Sequence, residues 1–126
     1  MRAVDTNVIV RLLARDDEAQ TQRAEAFVAE GAWVSWLVLA ESVWVLESVY
    51  TLTKRQLATA LSMLLEHRHL VVQDTDVVRV ALSDYLASSG VGFTDCLVVA
   101  VARKNGHTPI GIFDRKLSKL SDVQSV

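Results

Sequence analysis

Cysteine, proline and glycine are scarce in this chain, and each shortage removes a class of protein. The single cysteine, Cys96, excludes an intramolecular disulfide framework and a Cys-rich zinc site. One proline and five glycines exclude collagen-like and low-complexity sequence. Neither sign of charge dominates. Thirteen basic and fifteen acidic residues leave a net charge of −2, so bulk positive charge does not draw the chain to nucleic acid. Long hydrophobic runs are also missing. The greasiest stretch, residues 31–46, is interrupted by Glu41 and falls short of the roughly 20 residues a membrane span needs. No membrane association is expected. Arg2-Ala3-Val4-Asp5 is too short and too polar for the apolar core of a signal peptide. With the lone cysteine it suggests a reducing, cytoplasmic setting.

What the chain does have is apolar material. Of its 126 residues 51% are apolar and 22% charged, which excludes disorder and suffices for one domain, residues 1–126, folded on a core without staples. Strand-like and helix-like segments alternate along it. Ala3-Val4 is a short apolar run, and Val8 to Ala14 carries a helical pattern. Asp17-Glu18-Ala19-Gln20 has the form of a capping box, followed by the stripe Ala24, Phe27, Val28 and a stop at Gly31. Ala32–Ser35 suits a strand. Leu37–Tyr50 is apolar nearly all round and predicts a buried helix; Trp33, Trp36 and Trp44 fall in one apolar stretch and are expected in the core, with an interface as the alternative. Thr53-Lys54-Arg55-Gln56 is a second capping box, with Leu57, Leu61, Leu64 and Leu65 as its stripe. Leu70-Val71-Val72 suits a strand and Val77–Leu86 a helix. Thr94 is the expected N-cap of a helix over Asp95–Lys104 that stops at Asn105-Gly106. Pro109–Phe113 suits a last strand and Lys116–Leu120 a last helix. This alternation predicts an α/β fold with a mostly parallel sheet covered by helices on both faces. In such open sheets chemistry sits beyond the carboxyl ends of the strands.

That rule selects four carboxylates. Asp5 follows the first strand, Asp114 follows Ile110–Phe113, Asp95 lies in the first turn of a helix, and Glu41 lies early in the helix after the second strand. They are far apart in sequence, and no local ion pair explains them. Asp5 and Asp114 have an alternative role as N-caps, and Asp95 as a first-turn acid favoured by the helix dipole. Glu41 has apolar neighbours on its helix and no base within a turn or two, so burial there would be costly unless a cation compensates it. Four such acids in one pocket call for Mg2+ or Mn2+, the ions that hard oxygen ligands select, and a carboxylate-held ion of that kind suits phosphodiester hydrolysis. Rival nucleophiles are weak. Cys96 is next to Asp95, which disfavours a thiolate. His67, His69 and His107 lack a metal-ligand spacing, and the first two fall at a helix end, where a surface position is expected.

Four segments carry a family resemblance. Val4-Asp5-Thr6-Asn7-Val8-Ile9-Val10-Arg11-Leu12-Leu13 resembles the opening motif of PIN-domain ribonucleases, especially the VapC toxins of bacterial toxin–antitoxin pairs. Val38–Leu46, around Glu41, resembles their second motif. Phe93-Thr94-Asp95-Cys96 and the residues after it resemble the third, and Ile112-Phe113-Asp114 with the run to Leu120 resembles the fourth. The resemblance implies a three-layer α/β/α PIN-like domain in which Asp5, Glu41, Asp95 and Asp114 hold the divalent ion that activates water, with Thr6 and Asn7 bracing the first acid. It also implies an RNA substrate, a cognate antitoxin of the VapB type or similar, and a homodimer. Two positions depart from the pattern: Ile112 stands where a Thr or Ser is usual, and Cys96 where an Ala is usual. Arg103, Lys104, Arg115, Lys116 and Lys119 are candidates for a rim that holds RNA phosphates, or simply a solvated face. Residues 16–53 hold seven acids and one base, Arg23, which suits a basic partner segment or plain solvation.

Two other function classes compete. An aspartyl-phosphate enzyme also places Asp after the first strand, but the phosphatases of that kind need Asp-x-Asp, and the chain has Asp5-Thr6-Asn7. A PIN-like scaffold acting only as a protein-binding module would be expected to have lost an acid, and all four are present.

Overall fold

A computed structural model describes residues 1–126. The chain forms two compact units, Met1–Gln73 and Asp74–Val126.

In the first unit the elements are β1 (Arg2–Ala3), α1 (Thr6–Ala14), α2 (Glu18–Val28), β2 (Ala32–Val34), α3 (Trp36–Ser48), α4 (Lys54–Glu66) and β3 (Leu70–Val72). The strands form one parallel sheet in the order β1-β2-β3. Register pairs Arg2 with Ala32 and Ala3 with Trp33, then Ala32 with Leu70, Trp33 with Val71 and Val34 with Val72. Each parallel step returns through a helix pair, as parallel strands require. The caps are largely those the sequence suggests. Thr53 and Gln56 complete a reciprocal capping box on α4. At α2 only half the box forms: Asp17 accepts from the Gln20 N–H. Gly31 has φ +92, a left-handed conformation that suits glycine at a helix exit. The core of this unit is Ile9, Val10, Val28, Val34, Leu39, Val43, Leu46, Leu57, Leu61 and Leu64.

Helix α3 corrects one expectation. Only Leu39, Ser42, Val43 and Leu46 are buried, on a single face at helical spacing. Leu37 and Trp44 are 83% and 64% exposed, and Trp33 is also exposed, while Trp36 is half-buried. A helix that is apolar all round in sequence therefore buries one stripe and leaves an apolar stripe in solvent. Three tryptophans do not become core aromatics.

The second unit contains α5 (Thr75–Ala87), α6 (Phe93–Lys104), β4 (Ile110–Ile112), a 3₁₀ turn (Arg115–Lys119) and β5 (Val123–Ser125). β4 and β5 pair in parallel, with Ile110 opposite Val123 and Ile112 opposite Ser125. Helices α5 and α6 pack together, around Phe93 and Tyr85, whose rings meet edge to face at 6.0 Å. The N-cap of α6 is Gly92, not Thr94, which lies inside the first turn. The α/β class with parallel pairing is as expected. Strand β5 was not.

Candidate functional site

Three of the four candidate acids, Asp5, Asp95 and Asp114, stand where a strand or loop hands over to a helical turn, Glu41 lies one turn further into its helix, and none of the four enters an ion pair. Asp5 follows β1 and caps α1: its Oδ1 accepts the Val8 N–H at 3.2 Å. Asp114 follows β4 and caps the 3₁₀ turn, accepting the Lys116 N–H on Oδ1 at 2.9 Å. Asp95 is an exposed first-turn residue of α6, a position that favours an anion through the helix dipole. Glu41 lies in the second turn of α3 and is exposed. The burial argument for Glu41 therefore falls. Water solvates its carboxylate, and the exposed Leu37 and Trp44 lie one turn to either side of it.

Asp5 and Glu41 belong to the first unit, Asp95 and Asp114 to the second. Within neither unit does a group of three or more His, Cys, Asp or Glu side chains stand together at ligating range. The donor chemistry itself fits a hard cation. Carboxylate oxygens suit Mg2+ or Mn2+, and Asp5 and Asp114 each use one oxygen for the cap and leave the other outside it.

The neighbouring residues are placed as follows. Thr6 is buried and Asn7 exposed in the first turn of α1. Ile112 and Cys96, the two departures from the motif pattern, are both buried core residues, so each contributes packing where the pattern has a small or hydroxyl side chain. Among the basic candidates, Arg103 binds Asp84 at 3.1 Å, Asp122 at 3.2 Å and the Ser121 carbonyl at 3.0 Å. Lys104 reaches Asp76 at 3.3 Å and Lys119 donates to the Ser89 carbonyl at 2.9 Å. Arg115 and Lys116 are exposed and in no ion pair. The basic run is therefore two populations: structural cations that tie the second unit together, and two solvated ones.

A polar group that the sequence did not disclose lies in the first unit. Arg11 pairs with Asp16 at 2.5 Å, and Tyr50 donates its hydroxyl to the other oxygen of Asp16 at 2.8 Å. The hydrogen bond from Tyr50 holds the Asp16 carboxyl below its ordinary range. His67 and His69 are both half-buried rather than on the surface, and burial, then the nearby His69, lowers the pKa of His67.

The family model described as PIN domain matches residues 2–123, which includes both units and all four acids. No curated protein and no solved structure matches the chain.

Proposed function

The chain belongs to the PIN-domain family, whose members are generally metal-dependent nucleases, and on that premise we propose that it is an endoribonuclease acting through Asp5, Glu41, Asp95 and Asp114. The observation that carries this reading is that the family match over residues 2–123 includes all four motif acids, each of them exposed and outside every ion pair. Carboxylates left without counter-charge are available to a cation. A bound Mg2+ or Mn2+ would supply an activated water and neutralise charge on the phosphate. The protein's own part is to hold the carboxylates: capping fixes Asp5 and Asp114 on the helix ends, and Thr6 and Asn7 follow Asp5 directly in the first turn of α1. Residues 1–126 act as one catalytic domain in this reading, with Arg115 and Lys116 as the part of the basic rim that RNA phosphates can reach.

The toxin role follows the same line. We propose a small antitoxin whose tail presents Arg or Lys to Glu41 and covers the exposed Leu37 and Trp44 beside it, with a homodimer as the toxin's own assembly. Expression of the chain alone should then arrest growth in a bacterial host, and co-expression of the antitoxin should restore it. Harmless expression would remove the toxin role and leave the nuclease reading standing. The metal reading has its own test in the melting temperature. Mn2+ should raise it by linkage, and raise it less in Asp95→Asn. An equal rise in both proteins counts against an ion at Asp95.

A further inference from the structure

Between α1 and α2 lies a groove of about 360 Å³, at the small end of the roughly 300–1,000 Å³ typical of ligand pockets. Four polar side chains line it: Asn7 and Arg11 from α1, Gln20 and Arg23 from α2. Val8, Ala24 and Phe27 supply its apolar surface. No carboxylate lines the groove, although residues 16–53 carry seven acids. Arg11 is spoken for by Asp16. Arg23 is exposed and in no ion pair. Asn7 is two residues beyond Asp5 in the first turn of α1, so the groove starts at the end of α1 that Asp5 caps. Phe27 is fixed in place: the Arg2 guanidinium lies 3.8 Å from its ring centroid and donates to its carbonyl at 3.0 Å.

We infer that this groove holds a nucleotide of single-stranded RNA flanking the one that is cut, with its phosphate on Arg23 and its base over the Val8–Phe27 surface. The inference rests on the nuclease reading and extends it to where the substrate strand runs. Its chemistry selects the occupant. A free guanidinium attracts a phosphate and holds it by charge-assisted hydrogen bonds. A fixed aromatic beside aliphatic side chains accepts the flat face of a base without regard to sequence. The Asn7 and Gln20 amides each offer a donor and an acceptor, which base edges match and a bare anion does not. Arg23 and Asn7 are positioning residues here: they touch substrate away from the reacting phosphate.

The test is equilibrium binding of a fluorescent single-stranded RNA oligonucleotide to the intact protein in excess chelator, across a range of salt. Arg23→Gln should weaken binding about 5- to 10-fold and lower the log–log salt slope by about 0.7, the value for one phosphate contact on a single strand. Arg23→Lys should keep the slope. Arg55→Gln, a charge removal on α4 away from the groove, should change neither. With metal restored, Arg23→Gln should raise KM and leave kcat near wild type. If the wild-type protein binds RNA and Arg23→Gln binds it with equal affinity and slope, the groove assignment is wrong and the nuclease reading is untouched. If the wild type neither binds nor cuts RNA, both fall. A polyglutamate peptide whose binding depends on Arg23 while RNA binding does not would make the groove a protein-docking surface instead, and would overturn the assignment.

Discussion

At the residue scale, the contrast between neutralised and free acids decides what substitutions do. Asp5 and Asp114 act as caps through one oxygen, and asparagine caps as well as aspartate. Asp5→Asn and Asp114→Asn therefore remove charge while keeping the helix start, and both should leave stability within about 0.5 kcal/mol of wild type, as for substitutions at exposed positions. A larger loss in urea unfolding would mean the carboxylate does more for the fold than cap it. Asp16 behaves differently. Its pKa lies below the ordinary 3.8, first because Tyr50 donates to it. A depressed carboxyl contributes stability that is complete above the unfolded value and is lost as pH falls through the folded one. Tyr50→Phe should bring the Asp16 titration back up towards 3.8 in NMR and reduce the loss of stability on acidification. An unchanged Asp16 titration would show that Tyr50 is not the cause. His67 shifts downward from 6.5, chiefly by burial and then by His69. The folded state disfavours the imidazolium, so the stability His67 contributes is complete above 6.5 and declines as pH falls through its lowered value.

At the scale of elements, the sequence was most legible where local chemistry decides. The Thr53–Gln56 box, the leucine stripe behind it and the Asn105-Gly106 stop are short-range signals, and all three are observed. Thr53→Ala should cost about 1 kcal/mol by orphaning the Gln56 N–H, read as a lower denaturant midpoint at constant slope. No change would mean that tertiary packing alone sets the start of α4. Legibility failed where partners decide. Thr94 satisfies a rule for caps, but the chain turns into α6 two residues earlier, at Gly92, where no side chain announces it. Helix α3 reads as wholly buried because composition records apolarity and not which face finds a neighbour. The exposed Leu37 and Trp44 contribute little to the monomer's core, so replacing either with serine should change stability by no more than about 0.5 kcal/mol. If the proposed antitoxin docks on this stripe, the same variants should lose its binding.

At the scale of the whole molecule, alternation of strands and helices was enough to yield the α/β class and parallel pairing, because parallel strands require crossover helices. It did not reveal β5. Val123-Gln124-Ser125 is three residues with one apolar side chain, and it is a strand because Ile110–Ile112 lies beside it, a fact of topology rather than pattern. The site was legible in a similarly uneven way. Asp5, Glu41 and Asp114 were selected by their position after strands and Asp95 by its place in the first turn of a helix, and all four lie at helix starts or early helical turns. Their convergence was inferred from charge chemistry, a long-range property that no local pattern carries. The groove with Arg11 and Arg23 went unread because its residues come from two helices whose packing no local pattern encodes, although Asn7 and Arg11 are spaced four apart, one turn of the same helix face.

Whether the chain is a metal-dependent ribonuclease is decided by cleavage of a single-stranded RNA by the purified wild-type protein, with Mg2+ or Mn2+ and then with excess chelator, beside Asp5→Asn. Chelator should stop the cleavage, and Asp5→Asn should reduce it by more than about 100-fold, beyond the loss caused by disturbing a residue that only supports a metal ligand, at unchanged stability. Cleavage that persists in chelator, or an Asp5→Asn protein that cuts at the wild-type rate, would contradict the metal-dependent reading.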